Sequence, residues 1–286
     1  SIKKGDLSLS FLQSIIMGLV QGLTEFLPVS SSGHLVLANA LLGIQANTGI
    51  LFEVMLHVGT LVSVIIVFHR DIFSMVREFF MVIADVAKGR GMRLKSSPYR
   101  VMTAMVIVAT IPTGLIGILF KDFFEKAFSS TVVVSIMLLV TGVFLYTANA
   151  MKDGRKGPSD ITVKDAVIIG VFQGMAITPG ISRSGSTIFA GLLRGFSREL
   201  ATKFSFIMSI PAIIVAAVLE FSDYRGASVS LDELTVMLAG TAVAVIAGTI
   251  AIKFLIGVLN RGKLNYFSYY CWLVGLTGLV SVFLSR

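Results

Sequence analysis

Six continuous apolar runs, at residues 50–68, 101–120, 131–150, 204–221, 234–259 and 267–284, constrain this chain more than any other feature. Each is long enough, as a helix, to cross a hydrocarbon layer about 30 Å thick. Hydrocarbon offers no partner to an open backbone amide, so a spanning segment must be a helix or part of a closed barrel. Continuous rather than alternating apolar residues select the helix. With 55% hydrophobic and 14% charged residues and a mean hydropathy of +0.88, the chain is expected to be an all-α polytopic membrane protein. The single Cys271 excludes an internal disulfide and a cysteine-built metal cluster; inside an apolar run it reads as a packing residue.

A formal net charge of +8 raises nucleic acid as a partner, but in such a chain excess Lys and Arg speak first of orientation and of contact with anionic membrane lipids. Stretches 69–100, 150–164, 194–203 and 253–263 hold seventeen of the 24 Lys and Arg residues. They share one side of the membrane only if two further apolar stretches, 9–43 and 163–193, enter and leave on the same face. The expected fold is therefore six transmembrane helices plus two re-entrant helical hairpins, and no nucleic acid is expected. Three spans per half invert the second half relative to the first. The expectation is one membrane domain over 1–286, built as an inverted-topology repeat. Repeat one covers about 9–150, with hairpin 9–43 and spans 50–68, 101–120 and 131–150; repeat two covers about 163–285, with hairpin 163–193 and spans 204–221, 234–259 and 267–284. Both termini and the first hairpin fall on the outer side. Stretch 69–100 is expected to be a long basic loop with an amphipathic helical part at 72–87. Lys3 and Lys4 ahead of an apolar run outline a signal peptide, yet Gln21 and Glu25 inside that run favour a retained helix.

The repeat is legible in the residues. Gly18-Leu19-Val20-Gln21-Gly22-Leu23 is answered by Gly170-Val171-Phe172-Gln173-Gly174-Met175, and Ser30-Ser31-Ser32-Gly33 by Ser182-Arg183-Ser184-Gly185. Phe52-Glu53-Val54-Met55-Leu56-His57 lies over Phe204-Ser205-Phe206-Ile207-Met208-Ser209, and all three matches share a spacing of 152 residues. Inverted repeats whose broken helices meet near the bilayer midplane are familiar from transporters, and irregular backbone at that depth is tolerated only around a protein-enclosed polar cavity.

Glu25 and Arg183 are the two residues whose burial in the membrane costs most if idle, several kcal/mol by insertion scales, so they mark a site, a structural ion pair between the hairpins, or both. Arg183 between Ser182 and Ser184, with Gly180 and Gly185 close by, has the composition of an anion cradle, and phosphate suits it best. The helix that starts after each serine turn points its N-terminus at the same place. Glu25 and His34 can carry acid–base chemistry, and Ser30, Ser31 or Ser32 can supply a hydroxyl nucleophile or simply cap and turn the chain. Gln21 stands four residues before Glu25 on one helical face. Glu53 lies four residues before His57, which reads as a packing residue.

The whole stretch Gln21-Gly22-Leu23-Thr24-Glu25-Phe26-Leu27-Pro28-Val29-Ser30-Ser31-Ser32-Gly33-His34, with Pro179-Gly180-Ile181-Ser182-Arg183-Ser184-Gly185-Ser186-Thr187, closely resembles the bacterial undecaprenyl-diphosphate phosphatase family, also called bacitracin-resistance proteins. The resemblance covers nearly the whole chain. It implies an integral enzyme of the bacterial cytoplasmic membrane that takes a polyprenyl diphosphate lipid, removes one phosphate and recycles the lipid carrier of cell-wall synthesis. It implies Arg183, Ser182, Ser184 and Thr187 as diphosphate ligands, with Gln21, Ser30, Ser32 and Glu53 lining the site. Glu25 and His34 would manage the protons; Ser31, His34 or a water activated by Glu25 would attack. In the family's first motif an acidic residue or glutamine precedes the glutamate by four; here Gln21 takes that place, which leaves Glu25 alone as its carboxylate. The resemblance also implies a divalent cation, Mg or Ca, bridged from the diphosphate to Glu25, and it leaves room for a homodimer. The inverted repeat keeps open a rival function, a transporter or flippase of polyprenyl phosphate lipids.

Overall fold

A computed structural model describes residues 9–42, 49–223 and 230–284. Lys3 and Lys4 and the last residue of the expected hairpin 9–43 lie outside the described residues. Helices account for nearly all of the described chain: α1 (Phe11–Phe26), α2 (Ser31–Leu42), α3 (Gly49–Ala87), α4 (Pro98–Leu119), α5 (Lys121–Phe128), α6 (Thr131–Ala150), α7 (Val163–Met175), α8 (Arg183–Leu193), α9 (Arg198–Asp223), α10 (Leu231–Asn260) and α11 (Asn265–Leu284). Six of them, α3, α4, α6, α9, α10 and α11, contain stretches long and apolar enough to cross a membrane. The protein is a multi-pass membrane protein.

The boundaries follow local chemistry. Ser10 and Gln13 close a capping box at the start of α1, and Thr162 with Asp165 closes the matching box at the start of α7. Pro28 stands just beyond α1, where it cannot continue a helix. Ser182 caps α8 by accepting from the Gly185 amide. Residues 69–87, expected to be a loop with a helical part, are helical throughout: α3 runs on past the apolar stretch with a local break at Phe68 (φ −107°, ψ 22°). No Gly or Pro lies between Gly59 and Gly89, so nothing in the sequence stops the helix there. Arg100 ties this extension to α4 by binding Glu78 (2.7 Å) and Asp85 (2.9 Å).

Packing exchanges partners between the halves. Helix α1 packs along α10, and α7 packs along α4. Close approach rests on glycines 152 residues apart: Gly18 and Gly22 lie against Gly240, Ala244 and Gly248 of α10, whereas Gly170 and Gly174 lie against Ala109, Pro112 and Ile116 of α4. A Cβ at Gly18 or Gly170 would collide with the facing backbone, so the small residues are what let the helices meet. The apolar core includes Phe26, whose ring meets Phe206 edge-on at 5.5 Å, and Phe206 meets Phe68 at 6.0 Å. Phe26 follows Glu25 directly, so the core anchors the end of α1 on which the candidate site depends.

Candidate active site

Glu25 is buried in the last turn of α1, and three donors converge on its carboxylate. Oε2 accepts from Ser31 Oγ (2.7 Å) and from Gln21 Nε2 (3.2 Å); Oε1 accepts from Arg183 Nη2 (2.8 Å). The Gln21 contact is what a spacing of four on one helix gives. The other two come from the helices after the two serine turns, and Ser31 and Arg183 stand 152 residues apart. One copy presents a hydroxyl to one carboxylate oxygen, and the other copy presents a guanidinium to the other.

The turns themselves are matched. Ser30 and Ser32 hydroxyls lie 3.2 Å apart and Ser182 and Ser184 hydroxyls 3.3 Å apart. The first turn reverses at Ser30 with φ +70°, a left-handed conformation for a residue with a side chain, and such strain is characteristic of sites that need a fixed geometry. The second turn reverses at Gly180 with φ +93°, where no side chain is present to resist. Thr141 of α6 fixes this turn, donating to the Gly180 carbonyl (2.9 Å) and accepting from the Ser182 amide (3.0 Å). Thr187, fully buried, has its hydroxyl on the Arg183 carbonyl (2.8 Å) and beside Ser205 (2.6 Å), which places it behind Arg183 rather than in front of it.

Two polar atoms here have no partner: Arg183 Nη1 and Gln21 Oε1 are buried without a hydrogen bond. An orphaned guanidinium nitrogen beside a strained serine turn is a donor held ready for an oxyanion. The amide ends of α2 and α8 add to the positive potential of the two turns.

His34 stands three residues after Ser31 on α2, but its ring turns toward α11. Nδ1 bonds the Ser30 carbonyl (2.8 Å), and Nε2 bonds the Tyr270 hydroxyl (2.6 Å) with the two rings stacked. Glu53 is half-buried on α3, where its carbonyl accepts from His57 Nδ1 (2.9 Å). Thus Gln21, Glu25, Ser31 and Arg183 share one cluster, Ser30, Ser32, Ser182 and Ser184 flank it, and Thr187 supports it. Thr141, Ser205 and Tyr270 escaped the sequence reading. Thr141 and Tyr270 lie in apolar runs that carry no motif; Ser205 lies over Glu53 in the repeat match, a pairing that could have marked it.

A resident divalent cation does not fit these residues. Among the described residues no three His, Cys, Asp or Glu side chains come together, and both oxygens of Glu25 are already taken by hydrogen-bond donors.

Comparison with known proteins gives concordant matches. The family profile "Bacitracin resistance protein BacA" matches residues 14–277. An undecaprenyl-diphosphatase of Alkaliphilus metalliredigens is 49% identical over 263 residues, covering 92% of this chain and 95% of that protein. Undecaprenyl-diphosphatases of Carboxydothermus hydrogenoformans and Methanosphaera stadtmanae are each 43% identical, over 94% and 95% of this chain and 96% and 98% of their own lengths.

Proposed function

This chain belongs to the bacitracin-resistance protein BacA family, and from that premise we propose that it is an undecaprenyl-diphosphatase: it hydrolyses undecaprenyl diphosphate to undecaprenyl phosphate and inorganic phosphate. The observation that carries the mechanism is the 2.7 Å hydrogen bond from Ser31 Oγ to Glu25 Oε2, which pairs a hydroxyl with a base. Ser31 Oγ attacks the terminal phosphorus while its proton passes to Glu25. The bond from that phosphorus to the bridging oxygen breaks, and undecaprenyl phosphate leaves with the bridging electrons. Glu25 passes its proton to the departing undecaprenyl phosphate; water then attacks the phosphoserine as Glu25 accepts a proton from it, the bond from phosphorus to Ser31 Oγ breaks, and Glu25 returns a proton to Ser31 as phosphate departs.

Arg183 binds the terminal phosphate through Nη1, which has no other partner. When Glu25 takes up a proton, its hold on Arg183 weakens, and the guanidinium charge becomes free for the phosphoryl oxygens as the transfer proceeds. Such stabilisation of the transferring group is where most phosphoryl-transfer catalysis arises. Ser182 and Ser184 line the cradle, and no step runs through a metal. The reading includes an inverted-topology repeat with the hairpins α1–α2 and α7–α8 re-entrant. The repeat-matched glycines and the exchanged packing of α1 on α10 and α7 on α4 support it. On the same reading the enzyme lies in the bacterial cytoplasmic membrane, with both termini outside.

The test is phosphate release from undecaprenyl or farnesyl diphosphate by purified protein in detergent. Glu25→Gln and Ser31→Ala are each expected to lower release by at least about 100-fold. Near-normal release by Ser31→Ala would remove Ser31 as the attacker. A folded wild type that releases nothing yet moves polyprenyl phosphate across vesicles would be a transporter.

A further inference from the structure

The last span of each half holds the turn of the other. Pro28 and Gly180 carbonyls, 152 residues apart, accept one hydrogen bond each: Pro28 from Cys271 Sγ of α11 (3.6 Å), Gly180 from Thr141 Oγ1 of α6 (2.9 Å). On α11 this hold has a second finger. Tyr270, next to Cys271, reaches His34 Nε2 at 2.6 Å, and its ring stacks on the imidazole at 5.6 Å with 15° between the planes.

These contacts determine the state of the imidazole. The Ser30 carbonyl can only accept, so Nδ1 carries the proton of the neutral ring. Nε2 is then an acceptor, and the Tyr270 hydroxyl donates to it. Both nitrogens are assigned, the stacked phenol fixes the ring plane, and the side chain is set by a helix 236 residues away in sequence. His34 follows Ser31 by three residues, so the two share a face at the start of α2.

We propose that Tyr270 is a positioning residue of the phosphatase reaction: its hydroxyl sets the hydrogen bonding and orientation of His34, whose Nδ1 holds the Ser30 carbonyl, and so braces the strained turn that presents the Ser31 nucleophile. The proposal rests on the reading of the serine turn as the place of phosphate release. Tyr270 touches neither Ser31 nor Glu25; it acts through His34.

Tyr270→Phe removes one oxygen and keeps the stacked ring. It is expected to lower kcat for farnesyl diphosphate about tenfold, the worth of one hydrogen bond, with KM little changed. In a His34→Ala background the same change is expected to have no further effect, because the pair acts as a unit. The chain has three histidines, so ¹⁵N-imidazole NMR in detergent is tractable: Tyr270→Phe should move the Nε2 resonance of His34 and leave those of His57 and His69 in place. Unchanged kcat in Tyr270→Phe overturns the proposal, whether or not the resonance moves, and so does an equal loss in both backgrounds. A wild type without phosphatase activity sinks the functional reading instead. In that case an unmoved His34 resonance still rejects the contact itself.

Discussion

A carboxylate that faces a hydroxyl on one oxygen and a guanidinium on the other is both a base and half of an ion pair, and the two roles separate under mutation. Glu25→Gln keeps the shape but leaves the Arg183 charge buried without compensation, which typically costs about 3–5 kcal/mol. Adding Arg183→Gln removes that charge. The double variant is therefore expected to recover most of the thermal stability in detergent while phosphate release stays at least about 100-fold down. If the single variant is as stable as wild type, the pair contributes only to chemistry. A second cluster has no such double role. Asp165, at the start of α7, is completely buried between Lys156 and Arg194, each at 2.8 Å. Burial pushes its carboxyl up, but hydrogen bonds from Lys156, Thr162 and Arg194 outweigh this and hold it down at about 2. A depressed carboxyl stabilises the fold above its unfolded value near 4, and that stability is lost as pH falls from about 4 to about 2. The stability lead of wild type over Asp165→Asn should therefore be constant above pH 5 and narrow by roughly 2 kcal/mol on acidification, as read by thermal unfolding.

At the scale of helices, contact between the halves depends on residues that have almost no side chain. Gly170 of α7 faces the Ala109 carbonyl so closely that even a methyl group must displace backbone. Gly114 of α4 has nothing within 4 Å of where a Cβ would stand. Gly170→Ala is expected to destabilise by about 1–3 kcal/mol, and Gly114→Ala to be neutral or stabilising by up to about 1 kcal/mol. Equal effects in a thermal or denaturant titration would show that α7 does not pack on α4 this way. The long α3 follows a different logic. Its extension carries exposed Phe73, Phe79 and Phe80 beside charged residues, and Arg100 clasps it to α4, so its helicity comes from uninterrupted propensity and a buried ion-pair clasp.

For the whole molecule, the proposed orientation rests on charge. Lys95 follows α3 and Lys121 opens α5, at opposite ends of α4, and both are exposed. On the proposed topology Lys95 lies on the cytoplasmic side and Lys121 outside. An impermeant maleimide should therefore label Lys121→Cys in intact cells and Lys95→Cys only in inverted membrane vesicles. Cys271 is buried and leaves the background silent. The reverse pattern would overturn the assigned sidedness, and labelling of both in intact cells would mean that α4 does not cross.

The amino-acid sequence by itself determined the membrane class, the six apolar helices and the 152-residue spacing, and it marked Glu25, Arg183 and the serines at 30–32 as candidates, because hydropathy runs and motifs are written along the chain. It also placed Gln21 beside Glu25, since a separation of four is geometry internal to one helix. Only the tertiary structure decided that Ser31 and Arg183 meet the same carboxylate, across 158 residues in the second case, and that His34 turns to Tyr270. Thr141 and Tyr270 sit in apolar spans where a hydroxyl has no sequence pattern to mark it. What makes each of them a clamp is the helix packed opposite, and long-range packing is the one quantity that residue order does not state locally.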